Sequence, residues 1–165
     1  MAETDPLQYA LQLERDGLAF YTEVAARTKN PLGRKMFEGL AGDERRHEEV
    51  LLDLAAKRKV TLAGDLPKQR LVTLFATVGE QLKGELTAEA GDNEAIEKAL
   101  TMERASITHY STQADAAASE DARALYRRLV LEEQQHVDIL QNTLAYLNKT
   151  GQWFLWDEQA VLDGG

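Results

Sequence analysis

The chain has no cysteine. That excludes a disulfide, a thiolate nucleophile, a zinc knuckle and thiolate-held iron, so any metal must be bound by Glu, Asp and His. Cationic charge is also short: 19 Lys and Arg stand against 28 Asp and Glu, a net charge of −9. Phosphate binding needs clustered Lys and Arg, so no nucleic-acid partner is expected. Long apolar runs are missing. The longest uncharged apolar stretch, around Leu71 to Val78, is too short for a bilayer, and the opening MAETDPLQY has neither a basic nor an apolar leader segment. No membrane association and a cytoplasmic location are therefore expected. No strand pattern of any weight is present either, and the fold class is all-α.

What is present is helical periodicity in four long segments. Asp5-Pro6 and Asn30-Pro31 each set an N-cap residue before a proline, and Asp92 and Ser119 can cap two more. The spacing predicts helices near 6–29, 31–58, 93–117 and 120–148. Tight turns at Lys29-Asn30 and Ala118-Ser119 make two antiparallel hairpins, 6–58 and 93–148. A long crossover, 59–92, joins them and holds a shorter helix within PKQRLVTLFATVGEQL, and a tail, 149–165, closes what reads as one domain.

The hairpins resemble each other at an offset of 89 residues. ALQLER falls on ALTMER, Tyr21 on Tyr110, Leu40 on Leu129, Glu44 on Glu133, His47 on His136 and Leu51 on Leu140. Amphipathic helices match by chance at apolar positions, but amphipathicity does not ask for the matched polar residues. Two similar hairpins about an approximate two-fold axis follow.

Each helix carries an apolar stripe interrupted only by potential ligands. The first reads Leu7, Leu11, Glu14, Leu18, Tyr21, Ala25, and the second Phe37, Leu40, Glu44, His47, Leu51, Leu54. The third reads Ile96, Leu100, Glu103, Ile107, Tyr110, Ala114, and the fourth Tyr126, Leu129, Glu133, His136, Leu140. A carboxylate buried alone protonates, pairs or binds a cation. Glu14 and Glu44 lie equidistant from the first turn, as Glu103 and Glu133 do from the second. At ~1.5 Å rise per residue each pair sits roughly 22 Å from its turn, near mid-bundle. Packing the hairpins together brings Glu14, Glu44, His47, Glu103, Glu133 and His136 to one place. One Glu from each of two helices and Glu-x-x-His from each of the others is the ligand set of a di-iron or di-manganese carboxylate site. Four carboxylates balance two divalent ions; a metal-free polar network is the alternative.

At these residues the chain resembles the rubrerythrin branch of the ferritin-like superfamily, in forms lacking the rubredoxin domain. The resemblance covers nearly the whole chain, TGQWFLWDEQAVLDGG included. It implies a ferritin-like four-helix bundle with the six residues above as ligands of two iron ions. It also implies peroxide reduction: a diferrous pair gives two electrons to hydrogen peroxide, and an external donor such as a rubredoxin-like protein restores them. Rubrerythrins add a carboxylate three residues after the first on the third helix, which exchanges with a histidine on redox change. Here that position is Ser106 and its repeat equivalent is Gly17, so the resemblance stops short of that exchange. The six ligands equally resemble dimanganese catalases and ferroxidase centres, which leaves manganese or mixed occupancy and dioxygen as alternatives. A structural bundle that metal merely stabilises is the non-enzymatic one.

Small residues at 17 and 106 either leave room for peroxide or dioxygen beside the metals or serve close helix packing. Tyr21 and Tyr110 either hydrogen-bond ligand carboxylates across the bundle or are ordinary core tyrosines. His109 reads as a surface histidine. Asp43, Glu48, Glu49 and Asp138 flank the motifs and read as solvated, while Trp153, Phe154 and Trp156 fold over an apolar surface or join a subunit interface. A homodimer is expected, with hairpins exchanged through the crossover as one form of it.

Overall fold

The computed structural model describes residues 4–29, 31–60, 62–78 and 92–147. These form five helices and, among the described residues, no strand: α1 (Pro6–Arg27), α2 (Pro31–Ala55), α3 (Pro67–Val78), α4 (Asp92–Ala116) and α5 (Glu120–Leu147). The class is all-α, as expected. None of these helices is long and apolar enough to cross a membrane.

Local capping accounts for four of the helix ends. The Asp5 side chain accepts from Leu7 N with Pro6 in the first turn, and Ser119 Oγ accepts from Ala122 N at 3.1 Å. Asp92, expected as a cap, is instead the first residue of α4. At the other end α1 stops at Arg27, because Thr28 turns extended while its N–H still reaches Val24 O. The end of α2 comes three residues before the expected 58, and Lys57 just beyond it adopts φ 56°, the left-handed conformation that closes a helix. Asn30, the crossover beyond Val78 up to 91 and the tail aromatics Trp153, Phe154 and Trp156 lie outside the described residues.

Helices α1 and α2 pack as one antiparallel hairpin and α4 and α5 as the other. Between the hairpins α1 lies against α4 and α2 against α5, and α3 rests on α2 and α5. Two apolar clusters fill the interior. One holds Val24, Met36, Leu40, Ile96, Leu100, Ile139 and Leu140; the other holds Leu11, Leu51, Ala114, Leu125 and Leu129. Leu51, Leu129 and Leu140 are fully buried, worth about 1.5–3 kcal/mol each by transfer. The polar layer lies between these clusters in sequence register, so apolar packing closes it off at both ends.

The repeat reappears in three dimensions. Tyr21 stacks on Phe37 with centroids 6.3 Å apart, and Tyr110 on Tyr126 at 6.1 Å, the second pair lying 89 residues on from the first.

Candidate metal centre

All six expected residues meet in that layer within one chain. Glu14, Glu44, His47, Glu103, Glu133 and His136 are each no more than 3% exposed. They form two groups whose ligand atoms lie within 4.8 Å of one another: Glu14, Glu44, His47 and Glu133, and Glu44, Glu103, Glu133 and His136. Glu44 and Glu133 belong to both. Each group thus has one terminal glutamate, one histidine and two shared carboxylates.

Both imidazoles turn Nδ1 inward. His47 Nδ1 lies 3.3 Å from Glu14 and 3.2 Å from Glu133, and His136 Nδ1 lies 3.0 to 3.2 Å from Glu44, Glu103 and Glu133. The approaches are close without hydrogen-bond alignment. Glu14 Oε2, Glu44 Oε1, both oxygens of Glu133 and both Nδ1 atoms have no hydrogen-bond partner although fully shielded from solvent. Buried polar atoms are rarely left so. Six orphaned donors of lone pairs in one layer fit divalent cations, which accept from N and O ligands at once.

The outward ring nitrogens are fixed by two residues that the sequence reading did not assign to the site. His47 Nε2 donates to Glu132 Oε2 at 2.9 Å and His136 Nε2 to Asp43 Oδ2 at 2.9 Å. Asp43, expected to be solvated, is instead buried, because its carboxylate caps the opposite hairpin's imidazole. Glu48, half-buried against Arg15, and exposed Glu49 and Asp138 stay peripheral. Three arginines surround the two outer carboxylates. Arg46 reaches both at 3.0 Å, Arg70 from α3 reaches Asp43 at 2.8 Å and Glu132 at 3.3 Å, and Arg128 reaches Glu132 at 2.9 Å. Carboxylates so paired stay ionised and only accept, so each Nε2 carries its proton and each Nδ1 is the ring nitrogen that would give its lone pair to a cation. The 89-residue offset pairs 43 with 132, which was a legible signal.

Tyr21 donates to Glu103 Oε1 and Tyr110 to Glu14 Oε1 across the bundle. The tyrosines therefore take the first of their two readings. Burial, then Glu103 and Glu14 respectively, push the phenols well above their usual range and keep them donors. His109 is half-buried, its Nε2 against Pro6 O, away from the cluster.

Without a cation the layer is frustrated. Burial, then the charges of Glu133, Glu14 and Glu103, push Glu44 well above the carboxylate range, and burial with Glu133 raises Glu103 to about 7. Burial opposes ionisation of Glu133 too, but His47 and His136 outweigh it and hold that carboxyl low. Burial would lower both imidazoles; Glu133 and Glu14 around His47, and Glu103 and Asp43 around His136, raise them instead. Protons thus occupy a layer that divalent ions would empty.

A cavity of about 200 Å³ on the α1/α4 side reaches the layer through Gly17, Tyr21, Glu44, Glu103 and Ser106. A Cβ on Gly17 would lie 3.0 Å from Glu44 Oε2. The glycine gives Glu44 its close approach, and room also exists beside it, so both readings of the small residues hold.

The model of the family described as Rubrerythrin matches residues 5–144. The chain belongs to the rubrerythrin family. Its fold is accordingly ferritin-like, and the matched span contains all six layer residues together with Asp43 and Glu132. Rubrerythrin-family membership and the buried carboxylate–histidine layer together make this a metal-binding protein of oxidoreductase type. No curated protein and no solved structure matches the chain.

Proposed function

We propose that this rubrerythrin-family chain is a di-iron oxidoreductase that reduces hydrogen peroxide to water in the cytosol, with electrons from an external donor. The observation that carries the reading is the set of six fully shielded, unpartnered N and O atoms in one layer. Glu14 and His47 would hold one ion, Glu103 and His136 the other, and Glu44 and Glu133 would bridge them. When bound, the reduced pair supplies the two electrons that cleavage of an O–O bond consumes.

The chain's own groups do the rest. Asp43 and Glu132 hold the imidazole tautomers, and Tyr21 and Tyr110 orient the terminal carboxylates. Apolar clusters exclude water at both ends, while the α1/α4 cavity admits a small oxidant. These 165 residues hold no cysteine for a relay iron, so the electrons would arrive from outside them, from a rubredoxin-like donor for example.

Anaerobic stopped-flow of the ferrous-loaded protein tests this. Oxidation much faster by hydrogen peroxide than by dioxygen is expected. Faster reaction with dioxygen would make it a ferroxidase, and oxygen release from peroxide without reductant a dimanganese catalase.

A further inference from the structure

The α1/α4 cavity is larger than hydrogen peroxide requires. Its volume is about 200 Å³, and at ~30 Å³ per water-sized heavy atom two oxygens take roughly a third of it. Space for on the order of four further heavy atoms is left. The walls also change character along its length. Its buried inner part presents Glu44, whose Oε2 lies on the Gly17 side, with Glu103 and Ser106; its outer part is lined by half-buried Leu13 and Met102 and by exposed Asp16, Thr101 and Ala105. Asp16, Thr101 and Ala105 are exposed, so the mouth opens to solvent between α1 and α4. Peroxide alone gives no use to the apolar surface that Leu13, Met102 and Ala105 contribute to that wall. On the α2/α5 side a second cavity, of about 290 Å³ against α3, is lined by Asp43, Arg46 and Arg70, and there the Asp43, Glu132 and arginine network stands between it and the imidazoles.

We infer that small alkyl hydroperoxides of about four carbons are a second substrate class of this centre, with the hydroperoxyl group against Glu44 and Ser106 and the alkyl group against Leu13 and Met102. This rests on the peroxide-reducing reading above. The reaction is ROOH + 2e⁻ + 2H⁺ → ROH + H₂O. The O–O bond breaks, one oxygen leaves as the alcohol and the other as water. The two electrons are those held by the reduced metals and restored by a one-electron carrier protein, and the two protons come from solvent at the mouth. Chain length sets the limit: tert-butyl hydroperoxide has six heavy atoms and fits, whereas cumene hydroperoxide, with eleven, overfills the cavity.

Two readouts on the full chain test this. In the zinc-loaded protein, which cannot reduce it, tert-butyl hydroperoxide should shift the Met102 methyl resonance saturably. In the iron-loaded protein its KM should fall below that of hydrogen peroxide by about tenfold or more, each buried methylene being worth about fourfold. Cumene hydroperoxide should be at least tenfold poorer in kcat/KM than tert-butyl hydroperoxide. Ala105→Phe, at the exposed rim, should lower kcat/KM for tert-butyl hydroperoxide at least tenfold more than for hydrogen peroxide; the methyl shift needs no variant to fold. Hydrogen peroxide turnover with no Met102 shift and no KM advantage overturns this inference and leaves the site reading standing. Equal use of cumene hydroperoxide overturns it as well. A metal-loaded protein that reduces neither peroxide overturns both.

Discussion

Glu132→Gln is a single-atom change in outline that strikes one imidazole and should weaken one metal. Glu132 is fully buried; its Oε2 takes His47 Nε2 at 2.9 Å and Arg46 at 3.0 Å, and its Oε1 takes Arg128 at 2.9 Å. A glutamine oxygen can still accept from His47, but the bond is no longer charge-assisted. A hydrogen bond to a charged group contributes about 1.5–3 kcal/mol and a neutral one about 0.5–1.5. The difference, about 1–2 kcal/mol, converts to roughly 5- to 30-fold in affinity, overlapping the ~10- to 100-fold typical of residues that orient metal-bound histidines. The loss should fall on the ion held by Glu14 and His47, because the His136 imidazole keeps Asp43. Chelator competition with Co²⁺ resolves two constants per chain, and one should drop about tenfold. Asp43→Asn should move the other. If both constants stay within a factor of three of wild type, or if both fall equally, the assignment of one histidine and one outer carboxylate to each ion is wrong.

Ser106→Leu places a large side chain in the α1/α4 cavity. Metal content should be retained while peroxide oxidation of the loaded protein slows at least tenfold; an unchanged rate in stopped-flow would refute access by this route. Tyr110→Phe removes the donor to Glu14 Oε1, a loss of about 1–3 kcal/mol and a Tm lower by roughly 2–4 °C per kcal/mol for a chain of this size, read by calorimetry; no shift would show the contact to be idle. In the metal-free chain the raised groups Glu44, Glu103, His47 and His136 stabilise fully below their unfolded pKa values and lose that contribution as pH rises through the folded ones. The lowered Glu133 and Asp43 act oppositely, losing theirs only as pH falls below the ordinary carboxylate range. Urea unfolding should therefore show the metal-free chain weakening between about pH 5 and 8, and calorimetric loading in buffers of different ionisation enthalpy should release about three to four protons per chain at neutral pH. Stability that rises steadily over that range, or loading without proton release, would contradict the frustrated layer.

The six layer residues were legible because polar residues at core positions break a helical stripe, and the 89-residue repeat places each break twice. Helix starts were legible where proline follows a capping residue. Asp43 was misread because it lies one residue from Glu44, about 100° around the helix, where an acidic residue ordinarily meets water. What buries it there is α3: Arg70, 27 residues further along, folds over Asp43 and Glu132 together. No periodicity within α2 reports on a crossover helix. The repeat did contain the hint, since Asp43 and Glu132 each directly precede the glutamate of a Glu-x-x-His. The volume beside Gly17 and Ser106 was suggested by their size, but the make-up of its outer wall depends on how α1 and α4 meet.

Anomalous diffraction at the iron edge from crystals grown with ferrous iron tests the central claim most directly. The account predicts two peaks per chain in the layer between the apolar clusters, one against Glu14 and His47, one against Glu103 and His136, with Glu44 and Glu133 touching both. A single peak, or peaks confined to surface carboxylates while the layer stays empty, would contradict it.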